Sequence, residues 1–289
     1  MTVIEVNNLS KEFVAKRRRR VQALSDLSLA IESGEIFGFL GPNGAGKSTT
    51  IKILLGLIRA TSGSARIMGQ AVSDSTARQQ IGYLPENPSF YEFLSAEEYL
   101  YFVGSAFAMG MKELRQRTEE VLTLLSLQDA RKRPIRSYSK GMVQRLGLAQ
   151  ALLHDPQVLI LDEPMSGLDP IGRALVKEIM QDLKKAGKSI FFSTHITADV
   201  ETVCDRVGVI VGGRLQSVEN VEYLLREGIV GYDVRLVDAG AMSDLQVSKE
   251  ELAGVIAGAH ERGAEISFIE PRRRSLEDFF LDIVTRGQC

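Results

Sequence analysis

Ile36-Phe37-Gly38-Phe39-Leu40-Gly41-Pro42-Asn43-Gly44-Ala45-Gly46-Lys47-Ser48 decides the fold. Ile36 to Leu40 reads as a buried strand, and Gly41 to Ser48 fits the pattern G-x-x-x-x-G-K-S/T ahead of a helix expected from Gly46 to about Leu57. A glycine-rich turn in that setting is a phosphate cradle. Its backbone N–H groups converge on a β-phosphate, and the positive end of the helix dipole adds to them. Gly41, Pro42, Asn43, Gly44, Ala45 and Gly46 are therefore the expected nucleotide-lining loop, with Thr49 in the first helical turn. Lys47 neutralises the β- and γ-phosphates, and the Ser48 hydroxyl can ligate a Mg²⁺ that bridges them.

Further along, Val158-Leu159-Ile160-Leu161 drives four apolar residues into Asp162-Glu163. Carboxylates at the carboxyl end of a buried strand stand where parallel sheets bind ligands. On its own such a pair is a polar exit from the core or a helix cap. With a phosphate loop upstream, Asp162 is placed to hold Mg²⁺ through its water shell and Glu163 to accept a proton from attacking water.

Around these two strands the chain alternates β and α. Val3 to Leu9 and Val21 to Ile31 predict a small antiparallel sheet. Strands are expected at Ile36 to Leu40, Ala65 to Met68, Ile81 to Leu84, Val158 to Leu161, Ser189 to Ser193 and Val207 to Val211, as a parallel sheet, with a helix over Ile171 to Lys185. Between Ser95 and about Leu153 helical spacing takes over, broken at Gly110 and Pro134. After Arg226-Glu227-Gly228 a strand (Tyr232 to Val237), a helix (Lys249 to Ala259), a strand (Glu265 to Ile269) and a helix (Ser275 to Val284) form a separate unit. The prediction is α/β: a P-loop NTPase core with a mostly parallel sheet, an N-terminal antiparallel β subdomain, an inserted α-helical subdomain over about 88–156, and a small C-terminal α/β accessory domain. The boundaries are 1–225 and 226–289.

Composition narrows the function classes. In 289 residues, 35 Lys and Arg face 37 Asp and Glu, so no excess of positive charge points to nucleic acid. Lys16-Arg17-Arg18-Arg19-Arg20 is the longest basic run, read as a solvated hairpin tip or as a contact with anionic lipid headgroups. No apolar run approaches the 18 or more residues of a membrane span, and Met1 to Glu5 does not begin a secretory leader. Cys204 and Cys289 form neither a disulfide framework nor a metal spacing. A cytoplasmic protein is expected.

Tyr138-Ser139-Lys140-Gly141-Met142, the helix Val143 to Leu153 and then Asp162-Glu163 resemble the signature segment and Walker B of the ABC ATPases. Ser166-Gly167-Leu168-Asp169 resembles the D-loop of that family, His195 its switch histidine, and Phe13 the aromatic that stacks on adenine. Taken singly, Phe13 reads as core and His195 as a polar strand end; the resemblance gives them roles. It covers about residues 1 to 225. It implies an ATPase with ATP and Mg²⁺ as cofactors, working as a homodimer in which Ser139, Lys140, Gly141 and Asp169 of one protomer help complete the ATP site of the other.

Two positions depart from the family pattern. Leu-Ser-Gly-Gly-Gln is replaced by Tyr138 to Met142, which keeps the serine and one glycine, and Glu86 in Tyr83-Leu84-Pro85-Glu86-Asn87 stands where the family usually has a glutamine near Mg²⁺ and the attacking water. Glu86 is thus a further candidate for catalysis and for metal binding. Ninety-one residues separate Lys47 from Ser139, too few for a long coiled-coil insertion, and only one P-loop is present. The resemblance therefore implies the ATP-hydrolysing subunit of a transporter, held at the inner face of the cell membrane by a separate integral membrane permease and resembling bacterial exporters. The alternative is a soluble ABC ATPase acting as a regulatory or nucleic-acid-associated module. Seven of the 19 aromatic residues fall within Pro88 to Phe107, where the family receives a helix of the permease, and about half of them are expected to be core.

Overall fold

The computed structural model describes residues 1–14, 20–227, 229–238, 241–273 and 275–287. Lys16 to Arg19 of the basic cluster, Arg274 and Cys289 lie outside the described residues. Two compact units result, Met1–Val218 and Glu219–Gly287.

Strands β1 (Thr2–Val14) and β2 (Arg20–Glu32) pair antiparallel, with Val6 opposite Leu29 and Phe13 opposite Val21. Ile4, Val6 and Leu9 on one strand and Leu27, Leu29 and Ile31 on the other are buried, the pattern of a sheet with one covered face. Register shifts fall on either side of Leu9, and Asn8 and Asp26 take left-handed φ values of 47° and 49° there. Short polar side chains tolerate that conformation best.

Strand β3 (Ile36–Leu40), buried at all five positions, feeds α1 (Lys47–Leu54). The helix stops three residues short of the expected Leu57, with Leu55 as its cap and Gly56 at φ 67°. Then come β4 (Ser62–Ile67), β5 (Gln70–Ala71), α2 (Ser75–Gln79) and β6 (Ile81–Leu84). Here one expectation is corrected. The Ala65 strand does not join the parallel sheet; β4 pairs antiparallel with β1, giving a four-stranded sheet in the order β2-β1-β4-β5. Only Ala65 and Ile67 of β4 are buried, where a central parallel strand would be covered on both faces.

The helical insertion contains α3 (Ala96–Ala106), α4 (Met111–Leu124) and α5 (Lys140–Leu152). Ser95 and Glu98 form a reciprocal cap that starts α3. Leu100, Leu114, Leu122 and Leu146 bury the facing sides of the three helices.

The chain returns to the core with β7 (Val158–Asp162), α6 (Pro170–Lys185), β8 (Ser189–Thr194), α7 (Thr197–Val203), β9 (Arg206–Val211) and β10 (Arg214–Asn220). The six-stranded sheet runs β10-β9-β3-β8-β7-β6, and β9, β3, β8, β7 and β6 are parallel. Leu40 lies beside Thr194 and Asp162 beside Ser193, so three central strands end at one level. Loops leaving that edge build the site.

The second unit comprises α8 (Val221–Glu227), β11 (Ile229–Asp238), β12 (Ala241–Val247), α9 (Lys249–Glu261), β13 (Glu265–Arg273) and α10 (Leu276–Gly287), with the sheet ordered β12-β11-β13. Val234, Leu236 and Val247 are buried with Ala259 of α9. Strand β12 was not anticipated: six of its seven residues are exposed, so no buried face marks it. Among the described residues no helix is long and apolar enough to cross a membrane.

Candidate active site

The Gly41–Ser48 loop leaves the centre of the sheet with Gly41 N donating to Thr194 O at 3.2 Å. Two glycines are sterically required. A Cβ on Gly41 would collide with the Ile210 carbonyl, and Gly46, at φ 113°, would set one 2.7 Å from Leu24 Cδ2 and 2.9 Å from Ala23 O. Gly46 is also the N-cap of α1, and neither a capping side chain nor an acidic residue occupies that first turn. Its N–H groups and dipole end are left to an anion.

Lys47 is 6% exposed, with Nζ donating to Gly41 O at 2.6 Å and Pro42 O at 3.3 Å. Glu163 Oε1 stands 3.5 Å from the same ammonium. On the other side of Glu163, His195 Nδ1 is 2.9 Å from Oε2 and 3.1 Å from Oε1. Lys47 and His195 thus flank one carboxylate. Glu163 itself is 8% exposed and takes φ 50°, a left-handed conformation that costs a non-glycine residue about 1–2 kcal/mol. Such strain persists where surrounding bonds over-determine it.

Ser193, which sequence reasoning did not single out, supplies two of those bonds. Its hydroxyl donates to Asp162 Oδ1 at 2.5 Å and accepts from Glu163 N at 3.1 Å. Glu163 N also lies 3.2 Å from Ser193 O. A serine at a strand end carries no motif; only the Asp162–Ser193 register gives it meaning. Nearby, burial and then the Asp162 charge push the Tyr83 phenol up to about 12, so it stays neutral.

The loop from Pro42 to Thr49 lines a cleft whose other walls are Glu86, Glu163 and His195, with Ala23 from β2. Phe13 does not line it. That ring is 40% exposed with Lys11 Nζ 4.9 Å from its centroid. Ser139, Lys140 and Gly141 start α5 outside the cleft, Ser139 Oγ accepting from Met142 N at 3.3 Å. Asp169 caps α6 through Gly172 N at 2.8 Å, also outside the cleft. Asp162 is buried behind Glu163, held by Ser193. For Mg²⁺, Ser48, Asp162 and Glu86 are hard oxygen donors of the right kind, and among the described residues no cluster of three or more His, Cys, Asp or Glu side chains could hold a metal alone. That donor set fits an ion that completes its shell with phosphate oxygens and water.

A phosphate loop at the centre of a parallel sheet, with a lysine inside it and an Asp-Glu pair two strands away, defines a P-loop nucleoside triphosphatase. Residues 24–166 match the family described as ABC transporter. An ABC transporter ATP-binding protein of Synechocystis is 51% identical over 68% of this chain; the match spans 56% of that longer relative. One from Nostoc is 40% identical over 93% of this chain and 85% of its own length. The bacitracin transport ATP-binding protein of Bacillus licheniformis is 33% identical over 99% of this chain and 98% of its own. A solved ATP-binding subunit of an ABC transporter, 33% identical, superposes with a TM-score of 0.69 over 78% of this chain and 92% of its own. The chain belongs to the ABC transporter ATP-binding proteins, the ATP-hydrolysing cassettes of that family.

Proposed function

We propose that two copies of this chain bind and hydrolyse ATP at their shared interface and thereby drive export through a separate membrane permease. The observation that supports it most is the buried Glu163 carboxylate between Lys47 and His195 at the mouth of the phosphate loop. Lys47 and the loop N–H groups hold the β- and γ-phosphates. Ser48 and Asp162, with Glu86 near, would hold Mg²⁺, which would supply charge neutralisation to the phosphate oxygens. Glu163 takes the proton of a water whose oxygen attacks the γ-phosphorus. The bond to the β–γ bridging oxygen breaks, and ADP and phosphate leave. His195 holds the carboxylate's orientation through Nδ1 and can reach the transferred phosphoryl group with its exposed side.

Ser139, Lys140 and Gly141 are outside this chain's own cleft, which suits a role in completing the partner's. Phe13, outside the cleft, is assigned to the adenine as a stacking face on the family resemblance. Of the seven clustered aromatics, Phe90, Tyr99 and Tyr101 pack on the helical core, while Tyr91, Phe93, Phe102 and Phe107 are exposed. Tyr91 meets Phe102 edge-on with centroids 5.6 Å apart and Phe93 at 6.0 Å. That apolar patch fits an amphipathic helix of the permease. The bacitracin transport relative supports a role in transport, and export is the direction this reading takes. Residues 226–289 are assigned as an accessory domain.

Titration of Lys47→Ala with Mg²⁺-ATP tests the site. Removing a cation that hydrogen-bonds the phosphates weakens binding about 10- to 100-fold, since such bonds contribute about 1.5–3 kcal/mol. Unchanged affinity would sink the assignment. Co-purification with a multi-span membrane protein tests the coupling, and its absence under mild detergent argues for a stand-alone ATPase.

A further inference from the structure

Helix α5, like Ser193, makes a buried hydrogen bond to the catalytic loop. Gln144, its fifth residue, is 3% exposed, and its Nε2 donates to Pro164 O at 3.0 Å, a buried bond across 20 residues of sequence. Pro164 follows Glu163 directly, so this bond fixes the Pro164–Met165 peptide, one proline beyond the residue at φ 50°. Ser193 fixes the peptide on its amino side. The Pro164 carbonyl takes its hydrogen bond from a side chain and not from a strand or helix, so the loop's geometry there depends on that amide.

The same helix touches the loop a second time. Lys140, its first residue, lies so close over Gly167 that a Cβ on Gly167 would collide with Lys140 Nζ. Gly167 is at φ 67° and Leu168 comes within 3.8 Å of where a Gly141 Cβ would stand. The start of α5 and the loop from Glu163 to Asp169 are therefore joined at two points, one a buried hydrogen bond and one a steric contact.

We infer that Gln144 is a positioning residue for Glu163: by holding the Pro164 carbonyl it sets the backbone of the base and ties that backbone to the start of α5. The inference rests on Glu163 acting as the base proposed above. Because Ser139 and Gly141 at that helix start are the groups assigned to a partner's triphosphate, nucleotide in the neighbouring site bears on the base of this one through Gln144. Gln144 touches no substrate itself.

The test uses the full chain with Gln144→Met, which keeps length without a donor, and Gln144→Glu, which keeps shape but replaces the donor with an acceptor when ionised. Both should lower kcat roughly 10- to 100-fold, the scale of a small misplacement of a catalytic group. ATP stoichiometry and affinity should match wild type, which separates a displaced base from an unfolded fraction. Each substitution is then combined with Glu163→Gln, and residual turnover is followed with radiolabelled ATP. If Gln144 works through Glu163, the second change removes nothing further. Wild-type kcat in both single variants, a loss matched by lost nucleotide binding, or losses that multiply in the combined variants would each overturn the inference. Near-normal turnover by Glu163→Gln alone would instead remove the base assignment on which it depends.

Discussion

Lys47 Nζ and Glu163 Oε1 are 3.5 Å apart, both buried, the cation and the anion of one cleft. The carboxylate proposed to activate water would therefore also face the triphosphate's own negative charge. Glu163→Gln keeps the shape, removes that charge and removes proton acceptance. Turnover should fall about 10²- to 10⁴-fold while ATP binds at least as tightly as in wild type. Size-exclusion chromatography with Mg²⁺-ATP should show the variant accumulating as a dimer, and near-normal ATPase would point to Glu86 as the next carboxylate to change.

Ser193→Ala removes one hydroxyl that serves two neighbours, Asp162 Oδ1 and Glu163 N. A buried acceptor left without its donor costs about 1–3 kcal/mol. Thermal unfolding should begin at lower temperature, and the Mg²⁺ concentration for half-maximal ATPase should rise, because Asp162 is no longer held. A variant with unchanged melting and unchanged Mg²⁺ dependence would show the serine to be dispensable.

His154 links stability to pH. Its ring stacks on Phe107 with centroids 4.0 Å apart and a nitrogen 3.1 Å from Ile81 O, and burial, the leading cause, holds its pKa below the ordinary histidine value. The unfolded chain takes up the proton first, near pH 6.5. Stability from this group is thus present above that pH and is lost as pH falls through the lower folded value. Urea unfolding at pH 7.5 and 5.5 should show wild type losing more stability than His154→Phe, which keeps the stack and cannot titrate. Equal losses would exclude the ring.

The accessory domain gives a fourth prediction. The unit beginning at Glu219 has its own buried cluster around Val234, Leu236 and Ala259. A chain ending at Leu225 keeps β10 and should bind ATP with wild-type affinity while losing transport or dimer stability. Lost ATP binding would make residues 226–289 part of the catalytic fold.

What could be read from the residues alone follows from how local each signal is. Ile36 to Leu40 and Gly41 to Ser48 are contiguous, so strand, loop and helix announce themselves together. The Asp162-Glu163 pair stands at the end of an unbroken apolar run. Ser193, Gln144 and Ala23 are different: each earns its place only through a residue 20 or more positions away, a pairing that no window contains. The Ala65 strand shows the opposite failure. Its position between a helix and Ile81 to Leu84 imitates β-α-β alternation, but Gly63 permits an approach to the backbone of Asn7 and Asn8 that draws it into the antiparallel sheet.

The left-handed backbone at Glu163 sets breeding for heat resistance against turnover. Asn tolerates φ 50° better than Glu, so Glu163→Asn relieves part of a cost of about 1–2 kcal/mol, against the loss of the contacts to Lys47 and His195, while removing the proposed proton acceptor. A library of this chain sorted only by survival on heating would enrich such silent cassettes. Selection for thermostability here calls for ATP turnover as a second gate, so that the carboxylate proposed as the base is kept.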